Sequence, residues 1–443
     1  MTTASENPKR NVGNLSLKPH QLRELEFLRS REVAMLLSEA GTGKTVSLLL
    51  RSADVLAAGG DVLWLTRKAL LRQVQAEAAR WIPDSPQPKA LGTRGTGRFV
   101  IATHELARTR SELRRPWSLL IVDEAQVVGG GGADPKQQVF KAISEIAAMS
   151  DRRVFATAEP LGTQHALDLW AIATAAGVPG LPSRSQVGNW IQWAQYTRFG
   201  SDSPRSMSDY GFRMLVKLIA PYSIRTKLDD VADLPPITER VLTVPLTTAA
   251  SNQYQRVSSL DGLRGHQARS KASRDINALI PATVDLIIGE YSGAGPIVLF
   301  SEQFDMLDAA EARLEQAGVS TVRLVGSMTT RQRERAVQLH LDGGARVLLM
   351  TGAGEAGLNL QHAGVMISII TTYSPAREYQ RVARIRRTGT EHNVLVHHII
   401  RPDASHEFQR DRKLDAKRAL QERLWALLAI AWEIECPGTK EAS

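Results

Sequence analysis

The stretch Ser38-Glu39-Ala40-Gly41-Thr42-Gly43-Lys44-Thr45 constrains this chain more than any other. The apolar run Val33 to Leu37 precedes it, and the helix-like stretch Val46 to Leu56 follows. Strand, glycine turn and helix start are the parts of a phosphate-binding loop. Gly41 and Gly43, on either side of Thr42, let the backbone turn tightly enough to aim N–H groups at anionic oxygens. The helix N-terminus adds partial positive charge at the same point. Lys44 is placed to reach the β and γ phosphates of a nucleotide, and the Thr45 hydroxyl to ligate Mg²⁺. Ser38 stands where the usual pattern has glycine. The alternative, a plain glycine turn with a chance lysine, explains neither the flanking strand and helix nor an acidic motif further along.

That motif is Asp123-Glu124-Ala125-Gln126, delivered by the apolar strand Trp117 to Val122. An Asp ending a buried strand can hold Mg²⁺ through water, and the adjacent Glu can orient and deprotonate an attacking water. Other short apolar strands are expected at Val62 to Thr66, Phe99 to Thr103 and Val154 to Thr157. They lead into Arg67-Lys68, His104-Glu105 and Ala158-Glu159-Pro160. Helical stretches lie between, so a parallel sheet covered on both faces is expected. Ligands of such sheets bind beyond the carboxyl ends of the strands, where each of these motifs falls. Ahead of the loop, Leu17 to Gln21 leads into a short helix, and a glutamine amide offers the donor and acceptor that match an adenine edge.

Downstream, Leu167 to Ala176, Asn189 to Tyr196 and Tyr210 to Leu218 read as helices, and Asp233-Leu234-Pro235-Pro236 as a linker. Gly129 to Gly132 reads as a mobile loop. A second alternating unit has strands Arg240 to Val244, Ile297 to Phe300, Thr321 to Leu324, Arg346 to Met350, Val365 to Ile370 and Val394 to Ile400. Its helices include Asp305 to Ala317 and Thr330 to Leu341. It has no phosphate loop, but carries Gln380 to Arg387, dense in guanidinium groups. At helical spacing Arg384 and Arg387 share a face. Ser405 to Glu435 reads as one long helix, basic early and apolar late.

At roughly 150 residues per domain, 443 residues make two or three domains. The single cysteine, Cys436, excludes a disulfide framework and a cysteine metal cluster. His397-His398 reads as a strand pair. No stretch reaches the roughly 20 apolar residues of a membrane span, and the polar Met1 to Asn14 lacks a signal core, so a cytoplasmic protein without membrane contact is expected. Lys and Arg number 55 against 46 Asp and Glu, a net +9, which suits a polyanion such as nucleic acid. A merely basic protein has the same balance. Ser251 to Arg274, with five basic residues from Arg256 to Arg274, reads equally as a nucleic-acid face or a solvated helix face.

These signals in this order resemble superfamily 2 helicases, and most closely their Swi/Snf-related branch of double-stranded DNA translocases. Residues 15 to 405 carry the resemblance. Its specific stretches are Leu17 to Gln21, the phosphate loop, Asp123 to Gln126, Ile224-Arg225-Thr226-Lys227, Leu234-Pro235-Pro236, Phe300 to Phe304, Gly357-Leu358-Asn359-Leu360 and Gln380 to Gly389. The resemblance implies an α/β fold of two RecA-like lobes, each a mostly parallel sheet covered by helices, with ATP in the cleft between them. The expected division is a disordered tail over 1–14, a first lobe over 15–236 with a helical insertion at about 165–230, and a second lobe over 237–404. A C-terminal helix over 405–443 is expected to pack on the second lobe.

By position the resemblance makes Gln21 the adenine reader. Gly41, Thr42, Gly43, Lys44 and Thr45 hold the phosphates, and Thr45 and Asp123 hold Mg²⁺. Glu124 is the base, and Arg384 and Arg387 are the arginine fingers. Lys68, Thr103, Ser301 and Thr351 stand where the family meets DNA phosphates, contacts that set register without reading bases. Gln126 replaces a histidine, Glu159 a threonine and Thr390 a glutamine, and Glu355-Ala356 disturbs a glycine-glycine-acid order. None of these removes a phosphate ligand, the base or an arginine finger. An active, DNA-dependent ATPase moving on duplex DNA is therefore expected, serving replication, repair or recombination. Compactness and composition suggest a bacterial or bacteriophage source. A strand-separating DNA or RNA helicase, and a nucleotide-gated DNA scaffold without turnover, are the alternatives.

Overall fold

Strands apolar at every position must be covered on both faces, and the chain folds accordingly. In the computed structural model the described residues are 11–435, apart from 13–14, 93–96, 130–137, 162–165, 194–203, 232–233, 261, 353–359, 371–374 and 387–394. The chain divides into two units, Met1–Ala232 with Ala419–Ser443, and Asp233–Arg418.

The first unit is built on seven strands in the order Ser223–Ile224, Val33–Leu36, Arg153–Ala156, Leu119–Asp123, Val62–Thr66, Phe99–Thr103 and Lys89–Ala90. Every neighbouring pair is parallel. Alternate residues serve opposite faces, as the pleat requires. Leu63, Leu65, Leu120, Val122 and Phe155 join one buried cluster. Val62, Trp64, Leu119, Ile121 and Val154 join the other. Register pairs Leu36 with Ala156 and Ala156 with Asp123, and likewise Thr66 with Thr103. The ends that carry the motifs therefore lie along one edge of the sheet.

The second unit has six strands, all parallel, in the order Ile237–Val244, Leu395–Pro402, Val365–Ile369, Ile297–Phe300, Val347–Met350 and Thr321–Leu324. His397 and His398 lie on one of these strands, as expected. His397 lies 3.0 Å from the Ser368 hydroxyl and 3.2 Å from the Glu378 carboxylate. Helices cover both sheets. Among the described residues no helix is long and apolar enough to cross a membrane.

Three expectations change. The C-terminal helix Ser405–Glu435 does not pack wholly on the second unit. From Ala419 it belongs to the first, where Leu424 and Leu428 are fully buried and the Trp432 indole donates to the Ala220 carbonyl at 3.0 Å. Its late apolar stripe matches the face left open by the amphipathic helix Asp209–Ile219, which is the physical reason. Ile191–Trp193 is a strand paired antiparallel with Pro204–Met207, not part of a helix. The preceding helix Arg184–Gly188 stops at the Asn189 cap, and the alternating Ile-Gln-Trp suits a strand. In the tail, Asn11–Val12 pairs with Leu15–Ser16.

Candidate active site

Val33–Leu36 delivers the phosphate loop to the carboxyl edge of the first sheet. Gly41 and Gly43 turn it with φ of 87° and 88°, a left-handed backbone that only glycine adopts readily. Gly43 has a second reason to lack a side chain, since a Cβ there would sit 2.7 Å from the Gln21 amide nitrogen. Gln21 is buried, and its carbonyl oxygen accepts from the Lys18 N–H at 3.0 Å. Beside it, the His20 ring donates to the Thr42 carbonyl at 2.8 Å. The helix before the loop thus braces it at two points.

Lys44 opens the helix Lys44–Ala57, with Thr45 in its first turn. The Lys44 ammonium donates to the carbonyls of Ser38 at 2.7 Å and Glu39 at 2.9 Å. Burial pushes its pKa down, opposed by the charges of Glu124, Asp123, Glu24 and Glu39. Carbonyl oxygens are weaker partners for an ammonium than an anion is, so this cation is poised to exchange them for phosphate.

Asp123 ends Leu119–Asp123. It accepts from the Thr66 hydroxyl at 3.1 Å and the Glu124 N–H at 3.0 Å, and its carbonyl accepts from the His104 ring at 2.8 Å. Burial and the adjacent Glu124 charge push its carboxyl up to about 6. Glu124 has φ of 56°, rare for a side-chain-bearing residue. Its carboxylate takes a hydrogen bond from the Gln126 amide at 2.5 Å and lies 3.8 Å from the Arg67 guanidinium. Gln126 in turn accepts from Thr157 at 2.6 Å, and Thr157 accepts from the Glu159 N–H at 2.9 Å. One polar chain therefore runs from the acidic motif to the next strand end.

Two adjacent half-buried carboxylates, one of them pushed toward its neutral form, beside a lysine held by the Ser38 and Glu39 carbonyls, fit a magnesium–triphosphate. Among the described residues no cluster of three or more His, Cys, Asp or Glu could hold a metal alone. Thr45 and Asp123 would hold Mg²⁺ together with phosphate oxygens and water.

The sequence reading missed what Ser38 does. Its hydroxyl donates to Glu24 at 2.6 Å and accepts from the Thr226 N–H at 3.0 Å. Glu24, fully buried, also accepts from the Ser47 and Thr226 hydroxyls, each at 2.7 Å. The Glu39 carboxylate is taken by Arg225 at 2.5 Å and the Leu228 N–H at 3.0 Å. The Ile224-Arg225-Thr226-Lys227 stretch thus acts as a clasp on the loop. The serine in a glycine position was the available signal.

The proposed nucleic-acid residues are placed unequally. Lys68 is exposed. The Thr103 hydroxyl caps the helix His104–Thr109 by accepting from the Leu106 N–H. Ser301 is fully buried and accepts from the Gln303 N–H at 3.2 Å, and Thr351 is 5% exposed. Ser301 and Thr351 follow strands paired in register at Phe300 and Met350, so both stand at one sheet edge. In the guanidinium-dense helix Pro375–Ile385, Arg381 is fully buried, bonded to Glu378 at 2.6 Å. Burial raises the Glu378 carboxyl, but the His397 hydrogen bond and the Arg381 charge outweigh it, leaving it below the usual range. Arg386 donates to the Pro235 carbonyl at 3.0 Å. Arg384 is half-buried in the same helix. Arg387, Glu355, Ala356 and Thr390 lie outside the described residues, as do Gly357 to Asn359 and three of the four glycines from Gly129.

Two family models match the chain. The SNF2-related domain covers residues 20–285 and the helicase conserved C-terminal domain residues 278–389. The mouse protein chromodomain-helicase-DNA-binding protein 1-like is 24% identical over 89% of this chain and 48% of its own length. The Saccharomyces cerevisiae ISWI chromatin-remodeling complex ATPase ISW1 is 22% identical over 89% of this chain and 39% of its own. The Arabidopsis thaliana probable ATP-dependent DNA helicase CHR23 is 25% identical over 86% and 40%. The chain thus spans less than half the length of these relatives, all eukaryotic, and they lend no support to a bacterial or phage source. A solved structure, the Sulfolobus solfataricus SWI2/SNF2 ATPase core in complex with dsDNA, aligns over 98% of this chain and 97% of that one. Its identity is 17% and its TM-score 0.45. With a single family model accounting for more than half of the chain, over the phosphate loop, the acidic motif and the clasp, this protein belongs to the SNF2-related family.

Proposed function

We propose that this chain is a DNA-dependent ATPase that moves along duplex DNA. The observation that carries it is the meeting of Lys44, Asp123 and Glu124 at one sheet edge, with the Asp123 carboxyl pushed up to about 6 by burial and by the Glu124 charge, against the pull of Lys44. Bound Mg²⁺·ATP would supply the phosphoanhydride to be cleaved and further positive charge beside the two carboxylates. Gly41 to Gly43 present backbone N–H groups to the phosphates. Lys44 leaves the Ser38 and Glu39 carbonyls for phosphate oxygen. Glu124, oriented by Gln126, holds a water and takes its proton. Arg384 and Arg387 are assigned to the charge that develops on the transferred phosphoryl, a role worth about 10³–10⁵ in turnover in related chemistry. Gln21, already against Gly43, is assigned to the adenine edge.

Duplex DNA is the proposed partner, met through its phosphates. The net charge of +9 and the exposed Lys68 support this. The buried Thr103, Ser301 and Thr351 would act there through the sheet edges at which they stand. The test is phosphate release with and without blunt duplex DNA, with Lys44→Ala as control. Stimulation by duplex, and its loss in the variant, are expected. Triplex displacement without fork unwinding supports movement along duplex. Fork unwinding points instead to a strand-separating helicase, and DNA binding without any turnover to a scaffold.

A further inference from the structure

The last third of the C-terminal helix touches the clasp on the phosphate loop. The Trp425 ring covers the Arg225 guanidinium at 3.9 Å from its centroid, and Arg225 reaches the Glu39 carboxylate at 2.5 Å. The Arg225 side chain is left 8% exposed. Glu39 is itself a loop residue. Its N–H donates to the Thr226 carbonyl at 3.0 Å, and its carbonyl accepts from Lys44 at 2.9 Å. Indole, guanidinium, carboxylate and phosphate-loop backbone therefore form one line of contacts inside the first unit.

We propose that Trp425 is a positioning residue for the phosphate loop, acting through Arg225 and Glu39; in its kinetic consequences this rests on the ATPase reading above. An aromatic face over a guanidinium holds it in place and removes water from its ion pair, which strengthens the pair. Without the indole the long Arg225 side chain regains its rotamers. It also has somewhere to go. A groove of about 560 Å³ lies beside the stack, lined among others by Asp230, Glu422 and Trp432, and its two carboxylates compete with Glu39. Without its ion pair, Glu39 keeps the Leu228 and Thr226 backbone contacts but holds the carbonyl on which Lys44 rests less firmly, and the loop becomes more mobile before any nucleotide arrives.

The test uses the full chain and two readouts. Hydrogen exchange of the loop amides, residues 39–45, is measured without nucleotide, and steady-state ATP turnover with saturating duplex DNA. Trp425→Ala is expected to speed loop exchange about fivefold and to raise KM for ATP by a similar factor, the lower part of the cation–π range because the Leu228 and Thr226 contacts of Glu39 remain, with kcat changed less than about twofold. Trp425→Phe restores most of both. In a Glu39→Gln background Trp425→Ala adds little to either readout. Trp432→Phe, which loses the Ala220 hydrogen bond and part of the ring packing but leaves the Arg225 stack in place, serves as the docking control and leaves loop exchange unchanged. Equal effects of Trp425→Ala with and without Glu39, or a loop response as large in Trp432→Phe, would overturn the proposal. An inactive wild-type protein would instead sink the ATPase reading, while the exchange data still decide the link.

Discussion

Gln126 donates from its amide to the Glu124 carboxylate at 2.5 Å, and so fixes where the acid points. Its carbonyl oxygen is engaged by Thr157 at 2.6 Å, so the amide cannot flip without losing both contacts. A histidine, usual at this position in the resemblance, has two ring nitrogens that can serve the same two groups.

Gln126→Leu removes a hydrogen bond to a charged group, an interaction worth about 1.5–3 kcal/mol. Turnover should fall at least about tenfold, with KM for ATP nearly unchanged, because the loop that binds phosphate is untouched. Gln126→His should keep most of the rate. Steady-state phosphate release for the three proteins decides, and a leucine variant within twofold of wild type would show that Glu124 needs no such orienting partner.

Arg387→Ala and Arg384→Ala should each lower turnover about a thousandfold while nucleotide binding survives. Fluorescent-nucleotide titration beside single-turnover hydrolysis separates the two quantities. Turnover at the wild-type level in either variant would strip that residue of its assigned role.

Glu24→Ala should cost the first unit about 3 kcal/mol, because the hydroxyls of Ser38, Ser47 and Thr226 lose their common acceptor in a buried site. Chemical denaturation followed by a first-unit tryptophan reports it. A loss under about 1 kcal/mol would mean that the three hydroxyls find other partners.

The second unit should be acid-sensitive through His340. This residue is fully buried between the Ile297 carbonyl, at 3.1 Å, and the His362 ring, at 2.7 Å. Burial and the His362 ring push its pKa down to about 4. The unfolded chain takes up a proton near 6.5, which the folded chain refuses until about 4. Between those values the unfolded state binds more protons, so stability falls as pH falls. From pH 7 to 5 the expected loss is roughly 2 kcal/mol. His340→Gln should flatten the dependence in urea unfolding at the two pH values.

Much of this architecture can be read directly from the residues. Ile297–Phe300, Thr321–Leu324 and the helix Thr330–Leu341 stand at the expected bounds: the first is an unbroken apolar run, the second a short β-branched stretch, and a Thr329 capping box starts the helix. The edge along which the motifs gather followed from parallel topology alone. What stayed hidden needed tertiary information. The late apolar stripe of the C-terminal helix announces burial but not its partner. Glu24 looks like any acidic residue in a short helix until three hydroxyls from distant segments close on it. Arg381 belongs to the guanidinium-dense stretch Gln380 to Arg387, yet it turns inward to Glu378.

The serine at position 38 has a consequence for how this loop could be altered. In many phosphate loops the first position is a spectator, and a loop can be moved between scaffolds with little thought for what lies behind it. Here the hydroxyl is tied to a carboxylate one helix away and to an amide almost two hundred residues later in the chain. A transplanted loop with glycine first would arrive lacking its moorings, and grafts between relatives would have to carry positions 24, 38, 47 and 226 as a set.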